Sequence, residues 1–333
     1  MPERGGRLST AARQDAAGCN CAVEDWLDLS TSLNPLAYPV PAIDPACWHR
    51  LPQDNDGLAA AAAAYYGNDR LAVLPGSQAA IRWLPALFRP VVVACLMPIG
   101  AAHAQAWERA GHKLRRLHNA SLARALAAAT PIIVLGNPDN PTARTWPAVD
   151  LLDAAGQLQR RGGWLVVDEG LGDGDPDHCV TPFAGSAQAP NLIVLRSLGN
   201  FFGLAGARVG FVFGASEKLA GLRAAIGPFP VSGPARAVAR QALADTAWQA
   251  STRQAVVAAA ARLAALLAPC GEVTRCPLFV TVATPQAADL FEHLARRAIL
   301  TRHFPLLERL RCGLPGSDAE WQRLAAALAN WNP

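Results

Sequence analysis

Residues 192–213 read LIVLRSLGNFFGLAGARVGFVF. A first apolar run, 192–195, ends on Arg196 and Ser197, and a second apolar run, 209–213, closes the stretch. Between them lies a turn of small residues punctuated by Gly199, Gly203 and Gly206. Two β-type runs therefore flank a loop whose polar positions are Ser197, Asn200 and Arg208. A serine and an arginine beside glycines that permit close backbone approach suit a phosphate-bearing ligand. Structural turns use glycine as well, so the stretch alone leaves both readings open.

Working outward, the same grammar recurs upstream. Residues 71–74 form a short apolar run followed by Pro75-Gly76-Ser77-Gln78 and then AAIRWLPALF, whose apolar spacing is helical. A glycine and a serine at a helix entry present free backbone N–H groups to an anion, although Ser77 would serve equally as an ordinary N-cap. Residues 91–97 are a second run, before a helix over QAWERAGHKL that stops near Gly111. Residues 131–135 are a third, delivering Gly136-Asn137-Pro138-Asp139-Asn140-Pro141-Thr142, where two Asn-Pro steps impose an irregular loop. Residues 164–167 are a fourth, ending on Asp168-Glu169. Short apolar runs alternating with helical segments predict βαβ units and a mostly parallel sheet covered on both faces. Ligands collect at the carboxyl ends of such strands. Ser77, Asn140, Asp168 and Ser197 all follow a run directly and are expected to cluster.

Beyond residue 214 the pattern changes to near-continuous helix over 217–268, broken at Gly227-Pro228 and at 232–234. Short strands then alternate with helices up to a last helix over 318–330. The expected architecture is α/β: a three-layer large domain over 46–225 and a smaller α+β domain over 226–333. An N-terminal arm, 1–45, is expected to contribute to the smaller domain. Arg311, on a short strand before Gly313, reads on spacing alone as a solvated edge arginine.

Composition limits the function classes. Hydrophobic residues make up 51% of 333 and charged residues 17%, and the net charge is +4 with no Lys/Arg block. That argues against disorder and against nucleic acid as the partner. The start, MPERGGRLSTAARQDAA, lacks an apolar signal core, and no later run reads as membrane-spanning. Eight cysteines are scattered without paired zinc-ligand spacing. Incidental thiols in a reducing cytoplasm are the expectation, with no metal and no membrane partner.

Taken together these motifs resemble the fold-type I pyridoxal-phosphate enzymes of the class I/II aminotransferase superfamily. The segment Ser197-Leu-Gly-Asn200-Phe-Phe-Gly203-Leu-Ala-Gly206-Ala-Arg208 is similar to its cofactor-lysine motif. Residues 136–142 resemble its Asn-Pro-x-Asn-Pro-Thr loop, Asp168-Glu169 its pyridine-nitrogen acid, and Gly76-Ser77-Gln78 its phosphate-binding helix start. Within the superfamily, WLDLSTSLNP, PGSQAAI, AWERAGH, PVSGPAR, ILTRHF and LRCGLPGSDAEWQRL resemble the cobalamin-pathway threonine-phosphate decarboxylases. Histidinol-phosphate aminotransferases share most of this framework.

The resemblance implies that Ser77, Gln78 (through its backbone), Ser197 and Arg208 hold the cofactor phosphate, with Asp168 paired to the pyridine nitrogen. It further implies that Asn140 bonds the phenolic oxygen, that His103 stands behind Asp168, that Arg311 binds the substrate carboxylate and that Asn34 lies near the substrate. The implied substrate is a phosphorylated amino acid, and the implied assembly a homodimer.

Five positions depart from the family pattern. The lysine that forms the Schiff base is Asn200, which can neither form an imine nor act as the proton-transferring amine. The ring-stacking aromatic position falls on Gly100, an expected acid is Ala102, and the usual Ala-Phe after Asp168-Glu169 is Gly170-Leu171. Any cofactor is then expected to bind non-covalently. The chain reads as a substituted enzyme, as a ligand-binding pseudoenzyme, or as an enzyme whose amine or base comes from elsewhere.

Overall fold

The computed structural model describes residues 22–332. They divide into two compact units. The larger comprises Ala37–Asn140 and Thr145–Ala250; the smaller takes the described residues up to Leu36, Pro141–Arg144 and the chain from Ser251 onward.

The first strand, β1 (Leu27–Asp28), belongs to the smaller unit. The larger unit holds the next seven: β2 (Leu71–Leu74), β3 (Val92–Met97), β4 (Lys113–His118), β5 (Ile132–Gly136), β6 (Trp164–Asp168), β7 (Leu192–Ser197) and β8 (Gly210–Phe213). They form one sheet in the order β2-β8-β7-β6-β5-β3-β4. Only β8 runs against the rest, antiparallel to both β7 and β2. Apolar strands buried on both faces explain the continuous runs in the sequence. On one face Val93, Ile132, Val134, Val166, Ile193 and Val212 pack with Ile81, Trp107 and Leu222 from covering helices. On the other, Phe211 and Phe213 meet Tyr66 at ring-centroid distances of 5.7 and 5.3 Å.

Strand β4 is a finding the sequence reading lacked: the helix read over QAWERAGHKL ran into its first two residues, and RRLH was assigned to no element. It pairs in parallel with β3 at the sheet edge, and four of its six side chains are exposed. Charged side chains protect an edge strand from pairing further, and they also erase the apolar signature by which strands are read. The preceding helix, Ala101–Arg109, starts and ends earlier than the expected QAWERAGHKL with its stop near Gly111.

The smaller unit carries an antiparallel sheet, β12 (Arg302–Phe304), β13 (Arg309–Gly313), β10 (Phe279–Ala283) and β9 (Glu272–Cys276), in that order. Strand β11 (Ile299–Leu300) pairs in parallel with β1. The unit's last helix, Asp318–Ala329, opens with a capping box between Ser317 and Glu320.

The division falls at Leu36 and Ser251, compared with the expected 45 and 226. Ion pairing explains the second difference. Helix Gly233–Ala244 is tied to the larger unit by Arg236, whose Nε and Nη2 donate to Asp56 at 2.6 and 2.8 Å. Tyr38 packs edge-on against Trp248 at 5.2 Å and donates its N–H to the Phe202 carbonyl, which accounts for the first.

Residues 246–270 are long and apolar enough, with mean hydropathy 1.3, to cross a membrane by length and composition, contrary to the sequence expectation. Alanine supplies much of that hydropathy. Val256, Ala260, Leu263 and Leu267 form a buried stripe along helix Thr246–Leu267, the pattern of a helix lying on a protein core.

Candidate functional site

Strands β2, β3, β5, β6 and β7 all end at one edge of the large sheet, and the polar residues singled out in the larger unit gather there. Asp168 closes β6. His103, buried in helix Ala101–Arg109, places Nε2 2.8 Å from Asp168 Oδ2. The Gly170 N–H donates to Asp168 Oδ1 at 2.9 Å. Burial pushes the Asp168 carboxyl pKa up, but the His103 hydrogen bond and charge, the Gly170 N–H and the field of Arg196 outweigh it. The net position is below the ordinary carboxylate value of 3.8. An ionised carboxylate held this way is matched to a cationic N–H.

Asn200 sits on the loop between β7 and β8. Its Nδ2 donates to the Gly170 carbonyl at 2.6 Å. A Cβ at Gly170 would lie 3.0 Å from Asp168 Oδ1, 3.7 Å from Asn200 Nδ2 and 3.8 Å from Ser197 Cβ. Gly170 is therefore the point where Asp168, Ser197 and Asn200 converge, and its lack of a side chain gives them room.

The phosphate-type residues meet around two other glycines. Gly76, at φ 79°, is the N-cap of helix Ser77–Trp83, and Ser77 makes no cap bond. This corrects the ordinary alternative for Ser77: the cap position falls one residue earlier, where glycine accepts the positive φ. A Cβ at Gly76 would lie 2.8 Å from Arg208 Nη2, so this guanidinium covers the helix entry. Arg208 itself is left-handed at φ 54° and exposed. Across the sheet Ser197 is the register partner of Gly210. A Cβ on Gly210 would sit 2.5 Å from the Ser77 nitrogen and 2.7 Å from the Gly76 carbonyl carbon. Gly210→Ala is therefore expected to lower stability by about 1–3 kcal/mol through overpacking. Urea denaturation reads it, and an unchanged midpoint would show that the helix entry can shift aside.

Gln78 is exposed on the first turn of that helix, and Asn140 is half-buried on the loop after β5. Asn137, by contrast, is structural: it receives the Trp146 N–H at 2.9 Å and donates to the His178 carbonyl at 2.9 Å. A Cβ at Gly100 would meet nothing within 4 Å, so the position of the missing stacking ring opens on free space.

Arg311 and Asn34 lie in the smaller unit. Arg311 is no edge arginine. Strand β13 is flanked by β12 and β10, and the side chain is 5% exposed, donating to the Ser30 carbonyl. Burial, with the charge of Arg302, brings its pKa down to about 10. Arg302 is its direct cross-strand partner and was passed over in the sequence. The guanidinium carbons lie 5.4 Å (Arg302) and 5.8 Å (Arg311) from the Phe304 ring centroid. Two like charges on one face of a sheet are unfavourable unless anions offset them. Asn34 is buried and accepts the Leu36 N–H at 3.0 Å.

Among the described residues the six cysteines form no disulfide, and Cys95, Cys276 and Cys312 have thiols pushed up to about 12 by burial. Cys19 and Cys21 lie outside the described residues. Among the described residues no group of three or more His, Cys, Asp or Glu is arranged to hold a metal ion.

Residues 50–328 match the family model for aminotransferase class I and II. A threonine-phosphate decarboxylase from Pseudomonas aeruginosa is 45% identical over 98% of this chain and 97% of its own length.

The chain belongs to the aminotransferase class I and II family.

A second threonine-phosphate decarboxylase, from a Sinorhizobium species, is 40% identical over 92% of both chains. Among solved structures, a histidinol-phosphate aminotransferase from Sinorhizobium meliloti, in complex with pyridoxal-5'-phosphate, superposes with a TM-score of 0.82. It covers 97% of this chain and 94% of its own at 21% identity. The L-threonine-O-3-phosphate decarboxylase from Porphyromonas gingivalis gives 0.76 over 91% and 98% at 18% identity. These likenesses establish the fold. Pyridoxal 5'-phosphate is the cofactor of this family, and the larger unit's residues fit it. An ionised carboxylate suits its ring nitrogen, an arginine and two serines beside close-approach glycines suit its phosphate, and open space at Gly100 clears one flank. Asn200 leaves that fit non-covalent.

Proposed function

We propose that the chain is a threonine-phosphate decarboxylase-like protein that holds pyridoxal phosphate without a covalent bond and acts slowly on L-threonine O-3-phosphate. The observation that carries this reading is a retained set of anchors at the sheet edge around a position that offers an amide instead of an amine. The cofactor supplies an aldehyde and a ring that accepts the electron pair left when CO2 departs. Asp168 keeps the ring nitrogen protonated, and His103 keeps Asp168 ionised. Ser77, the Gln78 N–H, Ser197 and Arg208 hold the phosphate, and Asn140 donates to the phenolic oxygen. We assign Arg311 to the substrate carboxylate and Asn34 to the substrate's surroundings, on family resemblance. Asn200 supplies neither an amine nor a base for proton transfer at Cα. The product would be (R)-1-amino-2-propanol O-2-phosphate. A homodimer working in the cytoplasm completes the proposal.

The test is CO2 release from threonine phosphate by the cofactor-loaded protein. Release no faster than from a heat-killed control would sink the enzyme reading. A second reading, a binding protein without turnover, is favoured by one observation: the Asn200 amide is already committed to the Gly170 carbonyl at 2.6 Å. Calorimetry showing cofactor uptake in a protein that releases no CO2 would select it. Activity with histidinol phosphate and a keto-acid acceptor would instead point to the aminotransferase branch.

The phosphate assignment has its own check. Arg208→Met is expected to weaken pyridoxal phosphate binding roughly 10- to 100-fold, the value of one or two charge-assisted hydrogen bonds. Because Arg208 is exposed, the unfolding midpoint should stay put. Equal binding by both proteins would remove Arg208 from the site.

A further inference from the structure

The cofactor-facing residues of the larger unit are mounted on a buried charge cluster to which none of the roles above refers. Arg196 is 2% exposed. Its Nη1 donates to Glu169 Oε2 at 3.0 Å and its Nη2 to Asp173 Oδ1 at 2.6 Å. Nη1 also lies 3.1 Å from Cys179 Sγ, and the guanidinium carbon is 4.6 Å from the Tyr66 ring centroid. Glu169 is fully buried and accepts from the Val180 N–H and the Thr181 hydroxyl, both at 2.6 Å. Gly172 is shaped to the fork: a Cβ there would meet Cys179 Sγ at 2.6 Å and Arg196 Nη1 at 2.8 Å.

Stability alone is a poor reason for such a cluster, since replacing a buried ion pair by well-packed apolar residues is often neutral or stabilising. Its location offers a better one. Arg196 immediately precedes Ser197, and Glu169 immediately follows Asp168. The Glu169 N–H donates to the Leu195 carbonyl at 2.9 Å, joining the two strand ends. The turn clamped by Arg196 contains Gly170, which bonds Asp168 through its N–H and Asn200 through its carbonyl.

We propose that Arg196 is a positioning residue: through Glu169 and Asp173 it sets the turn that aims Asp168 at the cofactor ring nitrogen and keeps Ser197 in step with it. The proposal rests on the cofactor reading given above. It has an electrical consequence as well. The groups that act on Asp168 are His103 from helix Ala101–Arg109 and Arg196 from β7; packed against Arg196 are Glu169 and Asp173 on the turn after β6, Cys179 beyond the turn, and Tyr66 from helix Leu58–Tyr66. Burial pushes the Cys179 thiol up to about 12 and the Tyr66 phenol well above its ordinary value, so both are neutral at working pH. The cation Arg196 and the acids Glu169 and Asp173 then act with opposite sign on the ring-nitrogen partner of Asp168.

The full-length protein, Arg196→Met, Arg196→Lys and Asp173→Asn are titrated with pyridoxal phosphate. Affinity is recorded together with the pH midpoint of the bound cofactor's absorbance change. Arg196→Met is expected to bind roughly tenfold more weakly and to move the midpoint up by about 0.5 to 1 pH unit, because a nearby positive charge is lost. Asp173→Asn should move it down, having lost a negative charge. Arg196→Lys should restore the midpoint but not the affinity, since it keeps the charge and loses the two-pronged fork. A folded Arg196→Met with wild-type affinity and midpoint overturns the proposal, as do shifts of the same sign in Arg196→Met and Asp173→Asn. If Arg196→Met does not fold, near-isosteric Asp173→Asn decides, and wild-type behaviour there overturns it equally. Wild-type protein that takes up no pyridoxal phosphate overturns the cofactor reading itself, a result distinct from equal uptake by all four proteins.

Discussion

Asn200→Lys is expected to raise CO2 release from L-threonine O-3-phosphate by roughly 10²- to 10⁴-fold over the wild-type chain, the usual worth of a positioned general acid–base. On the free-energy scale that is about 3–5 kcal/mol of barrier. The substitution also removes the Asn200 bond to the Gly170 carbonyl, a loss of about 1 kcal/mol in stability. The gain in rate is therefore not offset by the loss of the native contact. Space favours the change too, because Gly170 presents no side chain toward position 200. Two measurements check it: trapped CO2 from threonine phosphate, and a cofactor adduct that survives borohydride only in the variant. An adduct without turnover would move the defect to Gly100, whose open flank leaves the ring unstacked, or to Ala102. No adduct at all would mean that the loop does not bring position 200 to the aldehyde.

Asp168→Asn is expected to weaken pyridoxal phosphate binding by roughly 30- to 150-fold, corresponding to about 2–3 kcal/mol for one charge-assisted bond to the ring nitrogen. In the Asn200→Lys background it should also remove most of the recovered rate, because an unprotonated ring is a poor electron sink. The same residue makes a pH prediction for the cofactor-free protein. The Asp168 pKa is lower in the folded chain than its ordinary value of 3.8, so its contribution to stability is fully present above that value. It is lost as pH falls through the folded pKa, where the carboxyl takes up a proton and the charge facing His103 disappears. Thermal unfolding followed from pH 7 downward should show wild type losing its advantage over Asp168→Asn only below about pH 4. A constant difference across that range would mean that the carboxylate is not held ionised by its neighbours.

Much of the larger unit was legible from residue spacing. The strands ending at Leu74, Met97 and Asp168 fall where apolar runs stop, because a strand buried on both faces leaves a run with no polar gaps. Strands that carry charged side chains were not legible. KLRRLH in β4 and EVTRC in β9 carry the charges that an exposed strand needs, so their pattern does not separate them from helix or loop. Helix Leu122–Ala127 is too short to repeat its own period. The break between helices Gly233–Ala244 and Thr246–Leu267 at Asp245 has no glycine or proline to announce it.

The site divides along the same line. By itself the sequence determined the loop chemistry around Ser77, Asn140, Asp168, Ser197 and Arg208, and the loss of the amine at position 200, because these are properties of neighbouring residues in one chain segment. Only the tertiary structure decided that Asn200 is bound to Gly170, 30 residues away, and that Arg196 joins Glu169 and Asp173 across 27 and 23 residues. It likewise moved Arg311 from a presumed edge into the middle of a sheet beside Arg302. Whether a charge is solvated or buried depends on what packs over it, and that is set by contacts between segments far apart in the chain.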